Sequence, residues 1–172
     1  MTVKALNSSE YLDYFKHFLS LVPKDETIIN SLESVYNKHL DFFLSIPLNK
    51  LEYRYKENKW TIKELISHLI DTERIFNYRA LRISRRDKTP MAGFNENDYV
   101  DYGNANSRTI ESLIEEYKAV KLATITLFKS FTPEMLLATG VASKHNVSVR
   151  AIGFIISGHE IHHVNIIKER YL

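Results

Sequence analysis

Apolar residues recur along this chain at alternating intervals of three and four, the spacing that gathers side chains on one face of a helix. Ile28, Leu32, Val35, His39, Phe42 or Phe43, and Ile46 form one such stripe and predict a helix over Asp25 to Ile46, ended by Pro47. Leu65, Leu69, Phe76 and Ala80 predict a second, from about Ile62 to Arg85. Thr61-Ile-Lys-Glu64 stands before it as a capping box: the Thr61 hydroxyl accepts from the Glu64 amide, and the Glu64 carboxylate reaches back. Ile110, Leu113 or Ile114, Tyr117, Val120, Thr124, Leu127 and Phe131 mark a third helix behind Ser107 as its cap. The last stripe is Val149, Ile152, Ile156, His159, His163 and Ile166, capped by Ser148 and running nearly to the C-terminus. A shorter helix is expected from Ser9 to Leu21, closed before Pro23, and Thr132-Pro133-Glu134 starts a helical turn with Pro at its first position.

The intervening stretches read as loops. Leu48 to Trp60 is polar and irregular. Residues 87–106 carry Pro90, Gly93 and Gly103, but also Met91, Phe94, Tyr99 and Tyr102, a composition suited to packing over a site mouth. Residues 138–147 form a further loop around Gly140. There is no internal repeat, low-complexity tract or linker. The expected architecture is one all-α domain over 1–172: a four-helix bundle with a short extra N-terminal helix and a long loop between the second and third bundle helices.

Composition narrows the function classes. A chain of 172 residues, 44% apolar and 26% charged, is long enough to bury a sizeable core. The formal charge is +2, and the one basic cluster, Arg82, Arg85, Arg86 and Lys88, reads as a solvated helix end, so neither a nucleic-acid nor a membrane partner is expected. No apolar run approaches the roughly 18 residues of a membrane span. The stretch MTVKALNSSEYLDYFKHF lacks the features of a secretory signal, and a cytoplasmic location is expected. The absence of cysteine excludes disulfides, thiolate nucleophiles and Cys-ligated zinc.

Candidate chemistry lies in the last helix. His159 and His163 occupy successive core-facing positions, about 6 Å apart along the axis. Two imidazoles buried side by side need partners for their nitrogens and repel when protonated; a divalent metal, which takes neutral nitrogen ligands, resolves both. The text His159-Glu160-Ile161-His162-His163 also matches H-E-x-x-H, in which Glu160 is a general base. A metalloprotease would need a third ligand downstream, where the one candidate, Glu169, lies on another face, so that reading is set aside. The third ligand must come from elsewhere in the chain. His17 and His145 lie near segment ends, whereas His39 sits on a predicted core face and His68 borders one; periodicity does not choose between His39 and His68.

The segments Trp60-Thr-Ile-Lys-Glu-Leu-Ile-Ser-His68-Leu-Ile-Asp-Thr-Glu-Arg, Tyr78-Arg-Ala-Leu-Arg, Phe94-Asn-Glu-Asn-Asp-Tyr99 and Ser157-Gly-His-Glu-Ile-His-His163, in this order and spacing, resemble the DinB-like (DinB/YfiT) superfamily. The resemblance covers nearly the whole chain. It implies a four-helix bundle with a long crossover and a metal, usually zinc or nickel, on three histidines, here His68, His159 and His163. It further implies a homodimer, and either a metal-dependent hydrolase or a transferase that uses a low-molecular-weight thiol on a small-molecule substrate. Around such a site Glu64 and Asp71, one turn either side of His68, are candidates to orient its imidazole, and Glu160 is a candidate to do the same or to act as base. The rival expectation is a metal-stabilised binding or stress-response module without catalysis.

Overall fold

The computed structural model describes all residues, Met1–Leu172. In chain order its regular elements are α1 (Lys16–Leu21), α2 (Ile28–Ser45), α3 (Ile62–Ser84), α4 (Glu96–Tyr102), α5 (Ile110–Lys129), α6 (Pro133–Leu136), β1 (Thr139–Ala142), β2 (His145–Ser148) and α7 (Val149–Arg170). Each long helix begins where a hydroxyl satisfies an orphan amide: Thr27 accepts from Asn30, Thr61 from Glu64, Thr109 from Ser112 and Ser148 from Ala151. The Thr61–Glu64 capping box is complete, with both reciprocal bonds formed. No helix is long and apolar enough to cross a membrane.

The bundle is built from α2, α3, α5 and α7. Both α2 and α3 pack against α5 and α7, so consecutive helices α2 and α3 stand on a diagonal. The core has two apolar halves, one around Leu32, Phe76, Phe128 and Ile152, the other around Phe43, Leu65, Leu113 and Ile167. Along α2 and α7 the chain passes from the first half to the second; along α3 and α5 it passes the other way. The two parallel helices α3 and α5 are successive bundle helices, which is why a long crossover must join them.

Four expectations are corrected in detail. The N-terminal helix is reduced to 3-10 turns at Ser8–Glu10 and Asp13–Phe15 ahead of α1, because Tyr11 is extended and the Glu10 carboxylate is drawn to α7. The cap of α5 is Thr109 rather than Ser107, whose hydroxyl is engaged with Asn104 in a separate turn. The 87–106 stretch contains α4, capped by Asn95, and Tyr102 in it is 90% exposed rather than packed. The 138–147 stretch is an antiparallel β-hairpin, pairing Thr139 with Ser148 and Ala142 with His145. Its two turn residues, Ser143 and Lys144, take positive φ of 52° and 70°, as tight hairpin turns require. Met91 pins the crossover to this hairpin: its amide donates to Val141 O and its carbonyl accepts from the Ser143 amide, both at 2.9 Å.

Close packing at one glycine positions the site. A Cβ on Gly158 would lie 2.1 Å from the Phe18 carbonyl oxygen, so only glycine lets α1 lie directly on α7 there. The same N-terminal segment is tied down by Glu10, which accepts from Arg150 Nε and Ser148 Oγ at 2.7 Å and from the Asn7 amide at 2.9 Å.

Burial alone would raise the Glu10 carboxyl, but the bonds from Arg150, Asn7 and Ser148 outweigh it and bring the group from its usual 4.5 to about 2. A depressed folded value adds stability above the unfolded value, lost as pH falls through the folded one. Glu10→Gln should therefore be less stable than wild type in urea at pH 7, with the difference shrinking between about pH 4.5 and pH 2. A difference independent of pH contradicts this role for Glu10.

Candidate metal centre

The 3.6-residue turn of α7 sends His159 and His163 to one face, and α3 presents His68 opposite them. His159 Nε2 lies 3.1 Å from His68 Nε2 and 3.0 Å from His163 Nε2. These three form a group in which one ring nitrogen from each lies within 4.8 Å of the others, with His68 and His159 buried and His163 half-buried. Burial brings His68 down to about 4. It also holds His159 and His163 well below the ordinary imidazole value, with the neighbouring imidazoles adding to the effect. All three are therefore neutral near pH 7, the form that ligates metals.

The cluster fits a divalent ion. A neutral imidazole nitrogen carries either one N–H or one lone pair, so His159 Nε2 cannot make a good hydrogen bond to both neighbours. One cation accepting three lone pairs satisfies all of them. A tetrahedral ion with bonds of about 2.0–2.1 Å spaces its ligand nitrogens by roughly 3.3–3.4 Å, a few tenths beyond the two distances from His159 Nε2. His68 Nδ1 lies 3.4 Å from Thr72 Oγ1, so its N–H can donate there and leave the Nε2 lone pair free. His163 Nδ1 is buried without a partner.

Aromatic rings wall the cluster. Trp60 lies 4.8 Å from the His68 ring and stacks at 6.5 Å on His163. Phe18, brought in by the Gly158 contact, sits edge-on to His159 at 5.3 Å. The three histidines lie at one end of a cavity of about 340 Å³, the size of a small-molecule site, whose lining includes Phe15, Phe76, Phe94 and Arg79. No protein side chain completes a fourth ligand, and the cluster faces this space.

The other predicted residues lie elsewhere. Glu160 follows His159 in sequence but is turned about 100° away from it, into the bundle centre, and does not line the cavity. There it is 1% exposed and accepts from His39 Nδ1 at 2.9 Å and Tyr117 Oη at 2.5 Å. Lys121 is wedged between Glu160 and Glu73, 2.7 Å from the latter. Burial would raise Glu160, but Lys121 and His39 hold it well below the usual carboxylate range. Burial pushes Glu73 upward in spite of Lys121, and Glu160 adds to that rise. His39, Glu73, Lys121 and Glu160 come one from each bundle helix and form a polar layer between the two apolar halves. Glu160 is thus corrected from base to member of this layer, and His39 is engaged there rather than at the histidine cluster.

Glu64 is likewise engaged in the capping box, with Arg54 and Asn106, and Asp71 faces Arg74; the hydroxyl of Thr72, not a carboxylate, meets His68. His17 pairs with His162 at 3.1 Å, near the cavity wall. Sequence reading did not single out Thr72, Trp60, Phe18 or Arg79. The signal available for two of them was the spacing His68, Thr72, Phe76, Arg79, which keeps all four on one face of α3.

Comparison with known proteins agrees with this fold. The family model described as the DinB superfamily matches residues 31–167. No curated protein matches the chain. Among solved structures, YfiT from Bacillus subtilis aligns with a TM-score of 0.74 at 15% identity, covering 93% of this chain and 91% of that one. YfiT is described as a probable metal-dependent hydrolase with an unusual four-helix bundle topology.

Removing one member of a buried ionic layer leaves uncompensated charge. Lys121→Met should cost about 3–5 kcal/mol in urea unfolding because Glu73 and Glu160 lose their counterion. A loss under about 1 kcal/mol contradicts the layer's role as a paired network.

Proposed function

Because the chain belongs to the DinB superfamily, we propose that it is a metal-dependent hydrolase of a small molecule, with His68, His159 and His163 holding zinc or nickel. The observation that carries this reading is three neutral imidazoles, two buried and one half-buried, converging on a cavity with no fourth protein ligand. Structural zinc sites are closed by four protein ligands, whereas catalytic ones keep a position open. The description of YfiT as a probable metal-dependent hydrolase points the same way.

When bound, a divalent ion supplies Lewis-acid activation of a nucleophile and polarisation of an acceptor group. The protein's own contribution is positional. Thr72 fixes the His68 tautomer, and Trp60 and Phe18 hold the imidazole planes and exclude water from them. The aromatic walls formed by Phe15, Phe76 and Phe94 bind the apolar part of the substrate.

A second reading, transfer from a low-molecular-weight thiol, is favoured by one specific observation. Glu160 is turned into the bundle centre, so no buried carboxylate stands beside the cluster as a base for water. A thiol loses its proton far more readily than water and needs less help. In either reading the active form is a cytoplasmic homodimer.

Purified protein should carry about one zinc or nickel ion per chain, and His68→Ala or His163→Ala should lose it. Loaded wild type should hydrolyse members of an ester and amide panel, or transfer a thiol to an electrophile, and both variants should lose that activity. Full metal occupancy in either variant contradicts the site. A loaded wild type inert in both screens contradicts the enzymatic reading and leaves the metal-stabilised binding module.

A further inference from the structure

Four cationic side chains are buried in this protein: Lys63, Arg79, Lys121 and Arg150. Three have carboxylate partners: Lys63 meets Glu52, Lys121 meets Glu73 and Glu160, and Arg150 meets Glu10. Arg79 has none. Its residue is 6% exposed, and Nη2 donates to the Ala92 carbonyl at 3.1 Å and to Ser143 Oγ at 2.9 Å. Nη1 and Nε make no hydrogen bond to another protein group, although a guanidinium carries five N–H donors. Burying such a cation without an anion is costly, and a fold that pairs its other three buried cations has left this one open toward the cavity it lines.

Its placement is directional. Arg79 lies on the same face of α3 as His68, and its guanidinium leans back over Phe76, 5.8 Å from that ring, with Phe94 at 5.9 Å. The Phe76 ring is in turn 6.5 Å from the His159 ring. The cation and the histidine cluster thus occupy two ends of one cavity with an aromatic ring between them. The cavity's carboxylate, Glu96, is exposed on the first turn of α4 and acts on Tyr14 rather than on Arg79. Ser143 reaches the guanidinium from the hairpin turn, so the crossover, the hairpin and α3 together build the cation's surroundings.

We propose that Arg79 is the specificity-determining residue for a substrate carboxylate. The substrate is a small carboxylic acid whose acid group meets Arg79, whose apolar body lies along Phe76 and Phe94, and whose other end reaches the histidines. A single buried cation is matched in charge by a carboxylate and over-matched by a doubly charged phosphate ester. Which end reacts rests on the reading of the histidine cluster given above; the anion subsite does not.

Calorimetric titration with 3-phenylpropionate, its neutral amide and phenyl phosphate tests this on metal-loaded protein, metal-stripped protein and the variants Arg79→Met and Arg79→Lys. The acid should bind wild type at least about ten-fold more tightly than the amide, the range of a charge-assisted hydrogen bond. That preference should persist without metal, survive in part in Arg79→Lys, and disappear in Arg79→Met, where the acid loses more affinity than the amide. Equal affinity for acid and amide in wild type overturns the proposal, whether or not the variants fold. A preference that vanishes on metal removal also overturns it, because the acid is then bound by the ion. Tighter binding of phenyl phosphate than of the acid overturns the carboxylate assignment. If purified wild type proves to bind no metal and still prefers the acid, the hydrolase reading fails and the anion subsite stands.

Discussion

Three imidazoles, two of them held within hydrogen-bonding distance of the third in a largely apolar interior, cannot all be charged, and cannot all be satisfied by one another. Burial favours their neutral forms, and His159 Nε2 cannot bond well to both His68 and His163. Much of the fold serves that contact. The diagonal arrangement of α2 and α3 puts both beside α7, where His159 meets His68 of α3 and Glu160 meets His39 of α2. Gly158 lets α1 close over the same turn of α7, and Phe18 arrives with it as a lid on His159. The Glu10–Arg150 pair fixes the segment leading into α1.

One helix, α7, therefore does two kinds of work within a single turn. His159 faces the cavity, while Glu160, the next residue, enters a layer of ionic and hydrogen-bonded groups drawn from all four bundle helices. A buried charged layer is weak evidence for stability, since apolar replacements of a whole network are often neutral. Its effect here is registry. Glu160 can be paired only if α2, α3 and α5 present His39, Glu73 and Lys121 at the same height, and that condition sets the rotation of α7 and so the direction of His159 and His163.

The bundle was legible in the sequence because each long helix repeats its apolar positions at three and four and begins at a hydroxyl cap. Thr61–Glu64 and Ser148 mark starts that the structure reproduces to the residue. The hairpin at 139–148 was not legible, since its turn is Ser143-Lys144 and lacks the Gly or Asn that usually signals positive φ. His159 and His163 could be singled out from their shared face. His68 and His39 could not be separated, because His39 sits on an apolar stripe, His68 borders one, and only the packing of α2 and α3 around α7 distinguishes them. Glu160 was misplaced for a related reason: adjacency in sequence is a turn of about 100° on a helix. Arg79 escaped notice because a buried, unpaired arginine looks in sequence like any surface one.

X-ray absorption at the metal edge of purified protein reads the histidine site itself. The spectrum should show three imidazole nitrogens at about 2.0–2.1 Å and a remaining position filled by exchangeable solvent. A sphere closed by four protein ligands, or one without histidine nitrogen, would contradict that site.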